Sequence, residues 1–165
     1  MSKINSKSKG NRGELELVKI LNEKLGEDKK VFARVPQSGG WGGGQNRQIR
    51  EDMSMEQKLT LVADIMTPPN FKFVLEHKFY EESNFWDLFN EQSNFEKWTN
   101  QVSEDSSCVN KEPMLIIKYN RKPRIVLTKV KIKYKFSWVD KNNNTWYCNF
   151  LDELLETYEK DWWFE

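Results

Sequence analysis

An acidic pair and a lysine lie in two otherwise apolar stretches of this sequence. Asp64 belongs to the segment LVADIM, and Glu76 and Lys78 belong to FVLEHKF. A carboxylate in such a run is costly to bury unless a cation or a metal ion accompanies it. Mg²⁺ prefers carboxylate oxygens, and beside a phosphodiester it neutralises the phosphate and activates a water molecule. The three residues therefore predict a Mg²⁺ site able to hydrolyse a phosphodiester.

Two strand-like runs are expected to bring these side chains together. Leu59–Ile65 and Phe71–Lys78 are separated by the turn residues Pro68–Asn70, which predicts two adjacent antiparallel strands. Glu76 then returns beside Asp64. Because successive side chains of a strand alternate between its faces, the lysine two positions after Glu76 shares its face. That lysine could orient or deprotonate the attacking water, or neutralise charge on the phosphate.

A plainer interpretation of the pattern is an ordinary Glu76–Lys78 ion pair at a sheet margin, with Asp64 at a strand end. Acids and lysines are common, so their spacing alone is weak evidence. The apolar residues around them favour the catalytic interpretation, because a carboxylate in a buried strand needs a partner.

The remaining segments predict an α/β domain with a mixed central sheet flanked by helices. Apolar residues at helical spacing predict a helix over Glu14–Leu25, ended by Gly26, and a second, aromatic helical face spans residues 84–103. Asn149 is expected to cap a closing helix that runs to Tyr158. Further strand-like runs are Lys30–Val35, Met114–Tyr119, Arg124–Thr128, Lys131–Val139 and Thr145–Cys148.

The length of 165 residues fits one domain, 1–165, with a hairpin-and-helix extension at about 129–165. No apolar run approaches the roughly 20 residues of a membrane span, and the polar start contains no hydrophobic signal core, so we expect a cytoplasmic protein that does not bind membranes. Cys108 and Cys148 lack metal-type spacing and are expected to be structural.

The formal net charge is only +1, but the basic residues are concentrated in the first 12 residues and in residues 111–135. Each cluster could be an ordinary solvated face. Two separate basic segments in a chain with a nuclease-like motif favour a phosphate-binding surface. The candidate DNA-binding residues in these segments are Lys9, Arg12, Lys118, Arg121 and Arg124.

Five of the eight glycines lie between Gly39 and Gly44 and predict a flexible Gly-rich loop over residues 39–58. The segment lacks the patterns of nucleotide-binding glycine loops. It could be an inert linker. A DNA-touching flap is the other interpretation, because Trp41 could stack on a base while Arg47 and Arg50 contact phosphates.

The stretch KGNRGELELVKIL, Lys9 to Leu21, together with the later acids and lysine, resembles the archaeal-type Holliday-junction resolvases of the PD-(D/E)xK nuclease superfamily. The likeness covers residues 7–80, and it extends to about Thr128 only in the order of elements. It implies a restriction-endonuclease-like core and a Mg²⁺-dependent endonuclease in which Mn²⁺ substitutes.

The resemblance also implies roles for three further residues. Glu14 occupies the place of the helix acid that completes the metal site. Arg34, on its strand, and Ser38, in the following loop, match positions that contribute to DNA phosphate contact or to catalysis.

Three departures from the resolvase pattern leave junction specificity open. Leu15 stands where a basic residue is common, His77 stands where an apolar residue is usual, and the loop before Asp64 is longer. On a strand, His77 should face away from Glu76 and Lys78, which favours a structural role over catalysis.

Three functions follow as hypotheses. The first is an endonuclease that cuts four-way junctions or other branched DNA, as a homodimer whose two sites cut two strands. The second is a restriction-type or repair-type nuclease with the same core. The third is a DNA-binding module that keeps the fold without the chemistry. The presence of all four residues, Glu14, Asp64, Glu76 and Lys78, favours catalysis.

Overall fold

A computed structural model describes residues 6–26, 30–35, 54, 58, 62–81 and 94–165. The helices and strands of these residues are α1 (Ser6–Lys24), β1 (Ala33–Arg34), β2 (Ile65–Met66), β3 (Phe73–Tyr80), α2 (Asn94–Cys108), β4 (Glu112–Tyr119), β5 (Ile125–Thr128), β6 (Phe136–Val139), β7 (Thr145–Phe150), α3 (Leu151–Thr157) and a 3₁₀ helix (Lys160–Trp163).

The strands form one mixed sheet in the order β1-β2-β3-β4-β5-β7-β6. β3 and β4 are parallel, so the chain must cross over between them, and α2 lies on that connection. The other neighbouring pairs are antiparallel. This arrangement confirms the α/β, restriction-endonuclease-like fold class.

Each face of the sheet buries its own apolar core. On one face, Leu17 and Leu21 of α1 pack with Phe73 and Leu75 of β3, and α3 and Trp163 extend this cluster. The other face packs side chains of α2 against the alternate residues of β3 and β4. The central strand β4 is buried on both sides, as its apolar sequence MLII indicates.

The first helix begins at Ser6, whereas the apolar pattern predicted a start at Glu14. The apolar spacing could not predict the first two turns of the helix, because Ser8 and Arg12 are exposed there. The helix ends at Lys24, just before the expected stop at Gly26.

The predicted strand over Leu59–Ile65 is wrong at residues 62–64, and residues 59–61 lie outside the described residues. Residues 62–64 form bends, and the strand that follows contains only Ile65 and Met66. Ala63 adopts a φ of 67°, a conformation that turns the chain out of an extended path. The predicted antiparallel pairing with the next strand is confirmed, since Ile65 lies opposite Leu75. Only Ala33–Arg34 of the run Lys30–Val35 is paired as a strand.

The final hairpin is confirmed as β6 and β7, although the strand predicted over Lys131–Val139 begins only at Phe136. The predicted N-cap is wrong. Asn149 is still part of β7, and Phe150 occupies the cap position of α3 without a side-chain hydrogen bond. Asn149 instead donates from Nδ2 to the carbonyl of Lys133 at 2.7 Å, so it fastens the segment before β6 to β7.

Other predictions are met in part or lie outside the described residues. The aromatic helix is described from Asn94 and runs to Cys108, five residues past the predicted end at residue 103. The Gly-rich loop lies outside the described residues apart from positions 54 and 58. Among the described helices, none is long and apolar enough to cross a membrane.

Candidate active site

Glu76 and Lys78 extend from β3 toward α2, on the shared face that strand alternation predicts. The Lys78 amine donates to Glu76 Oε1 at 2.5 Å. Gln101 of α2 joins them, because its Nε2 donates to the same oxygen at 2.7 Å while its Oε1 accepts from Lys78 at 3.2 Å. The three side chains therefore form one closed hydrogen-bonded group between strand and helix.

The carboxylate of Glu76 is almost fully buried, and within the described part of the chain its Oε2 atom has no hydrogen-bond partner. Burial raises the pKa of Glu76 to about 8, and the negative charge of Asp64 adds to the rise, although Lys78 opposes it. A buried carboxylate oxygen without a donor is unfavourable unless a cation approaches it. Glu76 is thus arranged to accept one.

The lysine amine is itself held in its charged form. Burial alone would lower the pKa of Lys78, but the adjacent Glu76, together with Asp64 and Tyr80, outweighs burial and the pKa is raised. At neutral pH Lys78 is therefore a cation that can stabilise negative charge.

Asp64 reaches the same region from the bend before β2. Its carboxylate Oδ2 accepts the backbone N–H of His77 at 2.9 Å, and its own N–H donates to Leu75 at 3.3 Å. The chain turns away at Ala63, so the Asp64 side chain supplies the acceptor that a longer β2 backbone would have supplied. This bond places the carboxylate beside the residue that follows Glu76.

Glu14 of α1 is bonded to the guanidinium of Arg34 on β1, which also donates to Asn11 at 2.7 Å. Burial raises the pKa of Glu14, the hydrogen bond from Arg34 opposes this rise, and Asp64 adds to it. The repulsion between Glu14 and Asp64 indicates that the helix acid lies within electrostatic reach of the other carboxylates.

Within the described ranges, no three His, Cys, Asp or Glu side chains are grouped so that they could hold a metal ion. Mg²⁺ does not require three, since it usually binds one or two carboxylates and completes its shell with water and substrate phosphates. The donor set of Asp64 and Glu76, with the unpartnered Oε2 atom, fits such an ion. Glu14 would bring a third carboxylate, whose Oε2 atom is bonded to Arg34.

Apart from Arg34, which holds Glu14, the predicted DNA-binding residues and Ser38 fall into three groups. Arg12, Lys118 and Arg121 line one cleft. Arg124 is only 12% exposed and pairs with Glu16 at 3.1 Å. Lys9 belongs to α1, but its side chain is not described, and the remaining candidates lie outside the described residues: Ser38, Trp41, Arg47 and Arg50.

His77 lies on the opposite face of β3 from its two neighbours, in agreement with strand alternation. A Cβ atom added to Gly13 of α1 would stand 2.7 Å from the imidazole, so helix and ring are in close contact. Burial lowers the pKa of His77 to about 3, and Arg124 and Lys78 add to the shift. The ring is neutral and forms part of the packing between α1 and the sheet.

The sequence alone did not identify Gln101 as a site residue. A glutamine on an amphipathic helix is usually solvated, and only the packing of α2 on β3 reveals its two bonds. The available signal was its position three residues after Trp98 and one before Val102, on or beside the helix face that the apolar residues bury.

A mixed sheet with an acid at the start of one strand and a Glu-x-Lys sequence on its antiparallel neighbour defines a PD-(D/E)xK nuclease core. Over residues 5–162 the sequence matches the family described as "Phage putative PDDEXK endonuclease", and the chain belongs to that family. Endonucleases of this superfamily generally use Mg²⁺ or a similar divalent ion.

The chain is also similar to "Protein D14" of Escherichia phage T5. The two are 34% identical over 124 residues, which cover 72% of this chain and 67% of that protein. Both matches are to phage proteins, which supports a phage origin, and neither specifies a DNA substrate. No solved structure gives a significant match.

Proposed function

We propose that the protein is a metal-dependent endonuclease that hydrolyses phosphodiester bonds of four-way junctions or other branched DNA. The observation that carries the proposal is the buried Oε2 atom of Glu76, which no described residue partners, in a group where Asp64 supplies a second carboxylate and Lys78 a cation. A fold kept only for DNA binding would gain nothing from such an atom.

Each side chain then has a defined task. A bound Mg²⁺, or Mn²⁺ in its place, supplies charge neutralisation at the phosphate and activation of the attacking water. Asp64 and Glu76 would hold the ion, and the N–H of His77 fixes the orientation of Asp64. Lys78 remains protonated, which favours stabilisation of the developing negative charge over removal of a proton from water. Gln101 positions both Glu76 and Lys78.

Glu14 and Arg34 act as a coupled pair in this proposal. In the structure the guanidinium holds the Glu14 carboxylate. When a phosphate approaches, Arg34 can turn to it and leave Glu14 as a third acidic group near the metal. Ser38 and the Gly-rich loop, with Trp41, Arg47 and Arg50, are proposed to contact the DNA beside the site.

The branched substrate and the homodimer rest on the resemblance of residues 7–80 to junction resolvases. A four-way junction is resolved by two cuts, and a dimer supplies two sites. A restriction-type or repair-type activity is the alternative with the same core, and the choice between them is made by the DNA that is cut.

Cleavage by the wild-type protein and by Asp64→Asn tests the proposal. Each is incubated with Mg²⁺ and a four-way junction, a nicked duplex or a linear duplex of matched sequence. We expect the wild type to cut the junction fastest and Asp64→Asn to cut none of them, while metal-free DNA binding is retained because Asp64 makes no phosphate contact. Equal cleavage by the variant would contradict the assigned role. DNA binding without cleavage of any substrate would favour the non-catalytic module.

A further inference from the structure

A cleft of about 880 Å³ opens at the ends of the two parallel strands. Its walls come from Arg12 and Glu16 of α1, from Phe79 and Glu81 at the end of β3, and from residues 118–122 at and after the end of β4. We call it the β3–β4 cleft. Its volume is in the range of sites for one drug-sized molecule, about 300–1,000 Å³.

The β3–β4 cleft lies on the face of the sheet opposite to the catalytic lysine. Phe79 is next to Lys78, so it points to the α1 side. Lys118 is the register partner of Phe79 on the parallel strand β4, and it points to the same side. The cleft and the candidate active site are therefore separated by the thickness of one strand, and Arg12 is roughly 3 Å along the helix axis from Glu14.

The charges of the cleft favour an anionic occupant. Four of its lining residues are cations and two are acids. One acid, Glu16, is already paired with Arg12 at 3.7 Å and with Arg124 at 3.1 Å. The amine of Lys118 donates to the carbonyl of Lys122, which holds this lysine at the turn. Arg121 and Lys122 are exposed, and they place positive charge at the edge of the cleft.

The turn at the edge of the β3–β4 cleft has a strained backbone at Arg121, and this strain favours a functional role for that arginine. The N–H of Lys122 donates to the carbonyl of Tyr119 at 3.2 Å, and Arg121, the third residue of this turn, has a φ of 57°. Glycine or asparagine is preferred at such a position. Strained residues concentrate at binding and catalytic sites, and here the strained residue carries an exposed cation.

We infer that the β3–β4 cleft binds a single-stranded segment of DNA, an inference that rests on the proposed function. A basic groove with an aromatic wall is the usual form of a single-strand site, and Phe79 supplies that wall. A cleft with the volume of a site for one drug-sized molecule can hold a few nucleotides of one strand but cannot enclose the two paired strands of a duplex. A strand that leaves the cleft around the end of β3 arrives at Lys78. The enzyme thus holds an unpaired strand on one face of β3 and cuts on the other.

The test measures metal-free binding of a fluorescent single-stranded oligonucleotide and of a blunt hairpin duplex by anisotropy over a range of salt. Arg121→Gly removes the cation at the edge of the cleft and also removes the backbone strain at this position. We expect single-strand affinity to fall several-fold, the slope of log K against log salt to decrease by roughly 0.7, duplex binding to change less, and the thermal midpoint to stay equal or rise.

Two matched controls separate charge from backbone. Asn143→Gly relieves a φ of 66° in the turn between β6 and β7, and Lys24→Gln removes an exposed cation at the far end of α1. Neither should change single-strand binding. Unchanged single-strand affinity in Arg121→Gly, or an equal loss for duplex and single strand, would overturn the inference, as would a wild-type protein that binds the blunt duplex as tightly as the single strand. Cleavage of the linear duplex and junction by wild type tests the proposed function separately.

Discussion

The two faces of β3 carry adjacent residues in opposite situations. On the α2 face, Glu76, Lys78 and Gln101 are charged or polar and bonded to one another. On the α1 face, His77 is neutral and packs against Gly13, and both of its ring nitrogens lack a hydrogen-bond partner within the described residues. On the α2 face, the polar groups are arranged around a position that a cation could occupy. On the α1 face, the polar ring of His77 serves only to fill space in the packing.

The contrast teaches that burial alone does not identify a catalytic group. Burial shifts the pKa values of both Glu76 and His77 far from their ordinary values. They differ in their surroundings, since Glu76 has an adjacent cation and a second carboxylate, whereas the charges that shift the pKa of the His77 imidazole are those of Arg124 and Lys78, which disfavour its charged form. A perturbed group is a site candidate when its neighbours also supply complementary chemistry.

The largest effect on this contrast is expected from Lys78→Met. It removes the cation of the α2 face and keeps the length of the side chain. Because the role proposed for Lys78 is to stabilise the charge that develops on the phosphate, we expect cleavage to fall by about 10²–10⁴-fold, with DNA binding nearly unchanged. The measurement is the single-turnover cleavage rate at saturating Mg²⁺. A rate within a few-fold of the wild type would remove Lys78 from the catalytic group.

Gln101→Leu should have a smaller effect, through the metal. It deletes the donor to Glu76 and the acceptor for Lys78, and loss of such supporting partners typically costs about 10–100-fold in metal affinity or activity. We therefore expect a higher half-saturating Mg²⁺ concentration, with much of the rate recovered at high Mg²⁺. A loss of rate that no Mg²⁺ concentration restores would indicate a different role for Gln101.

The α1 face predicts a pH dependence of stability rather than of cleavage. The pKa of His77 is about 3 in the fold and 6.5 when unfolded, so between these values the unfolded chain binds the additional proton. The stabilisation from neutral His77 is fully present above about pH 6.5 and is lost as pH falls, by about 1.4 kcal/mol per unit. Urea unfolding at pH 7 and pH 5 should show a larger decrease for the wild type than for His77→Leu. Equal decreases would mean that His77 is not held neutral.

The smallest expected effect comes from a pair of glycines in α1. A Cβ at Gly13 would stand 2.7 Å from His77 and 2.8 Å from Phe79, whereas one at Gly10 would meet nothing within 4 Å. Gly10→Ala should stabilise the protein by about 0.5–1 kcal/mol through helix propensity. Gly13→Ala should destabilise it by about 1–2 kcal/mol, because overpacking exceeds that gain. Thermal or urea unfolding measures both, and equal stabilisation by the two changes would contradict the close contact.

The apolar patterns of the sequence predicted most of the sheet, because alternation and buried runs respond directly to the two cores. The patterns failed at Asp64 and Asn149, where side-chain hydrogen bonds take the place of backbone hydrogen bonds. The strand predicted to contain Asp64 was too long, since LTLVADI is strand-like in composition, whereas residues 62–64 form bends and Ala63 has a positive φ. Asparagine is a common N-cap residue, but the hydrogen bond from Asn149 to the carbonyl of Lys133 holds it in β7.

The residues of the candidate site were predictable when they belonged to a spaced motif. Glu76 and Lys78 share a face because their spacing requires it, and His77 faces away for the same reason. Gln101 comes from an element more than twenty residues later, and no local pattern connects it to β3. The ion pair between Glu14 and Arg34 is likewise a product of how α1 and β1 pack.

The central claim is that one face of β3 performs phosphodiester hydrolysis and the other does not. Cleavage by two variants of adjacent residues, Glu76→Gln and His77→Leu, tests it most directly, since neither change removes the backbone N–H that orients Asp64. With Mg²⁺ and branched DNA, Glu76→Gln should remain folded and show no detectable cleavage, whereas His77→Leu should cut at a rate within a few-fold of the wild type. Cleavage by Glu76→Gln, or its loss in a folded His77→Leu, would contradict the account.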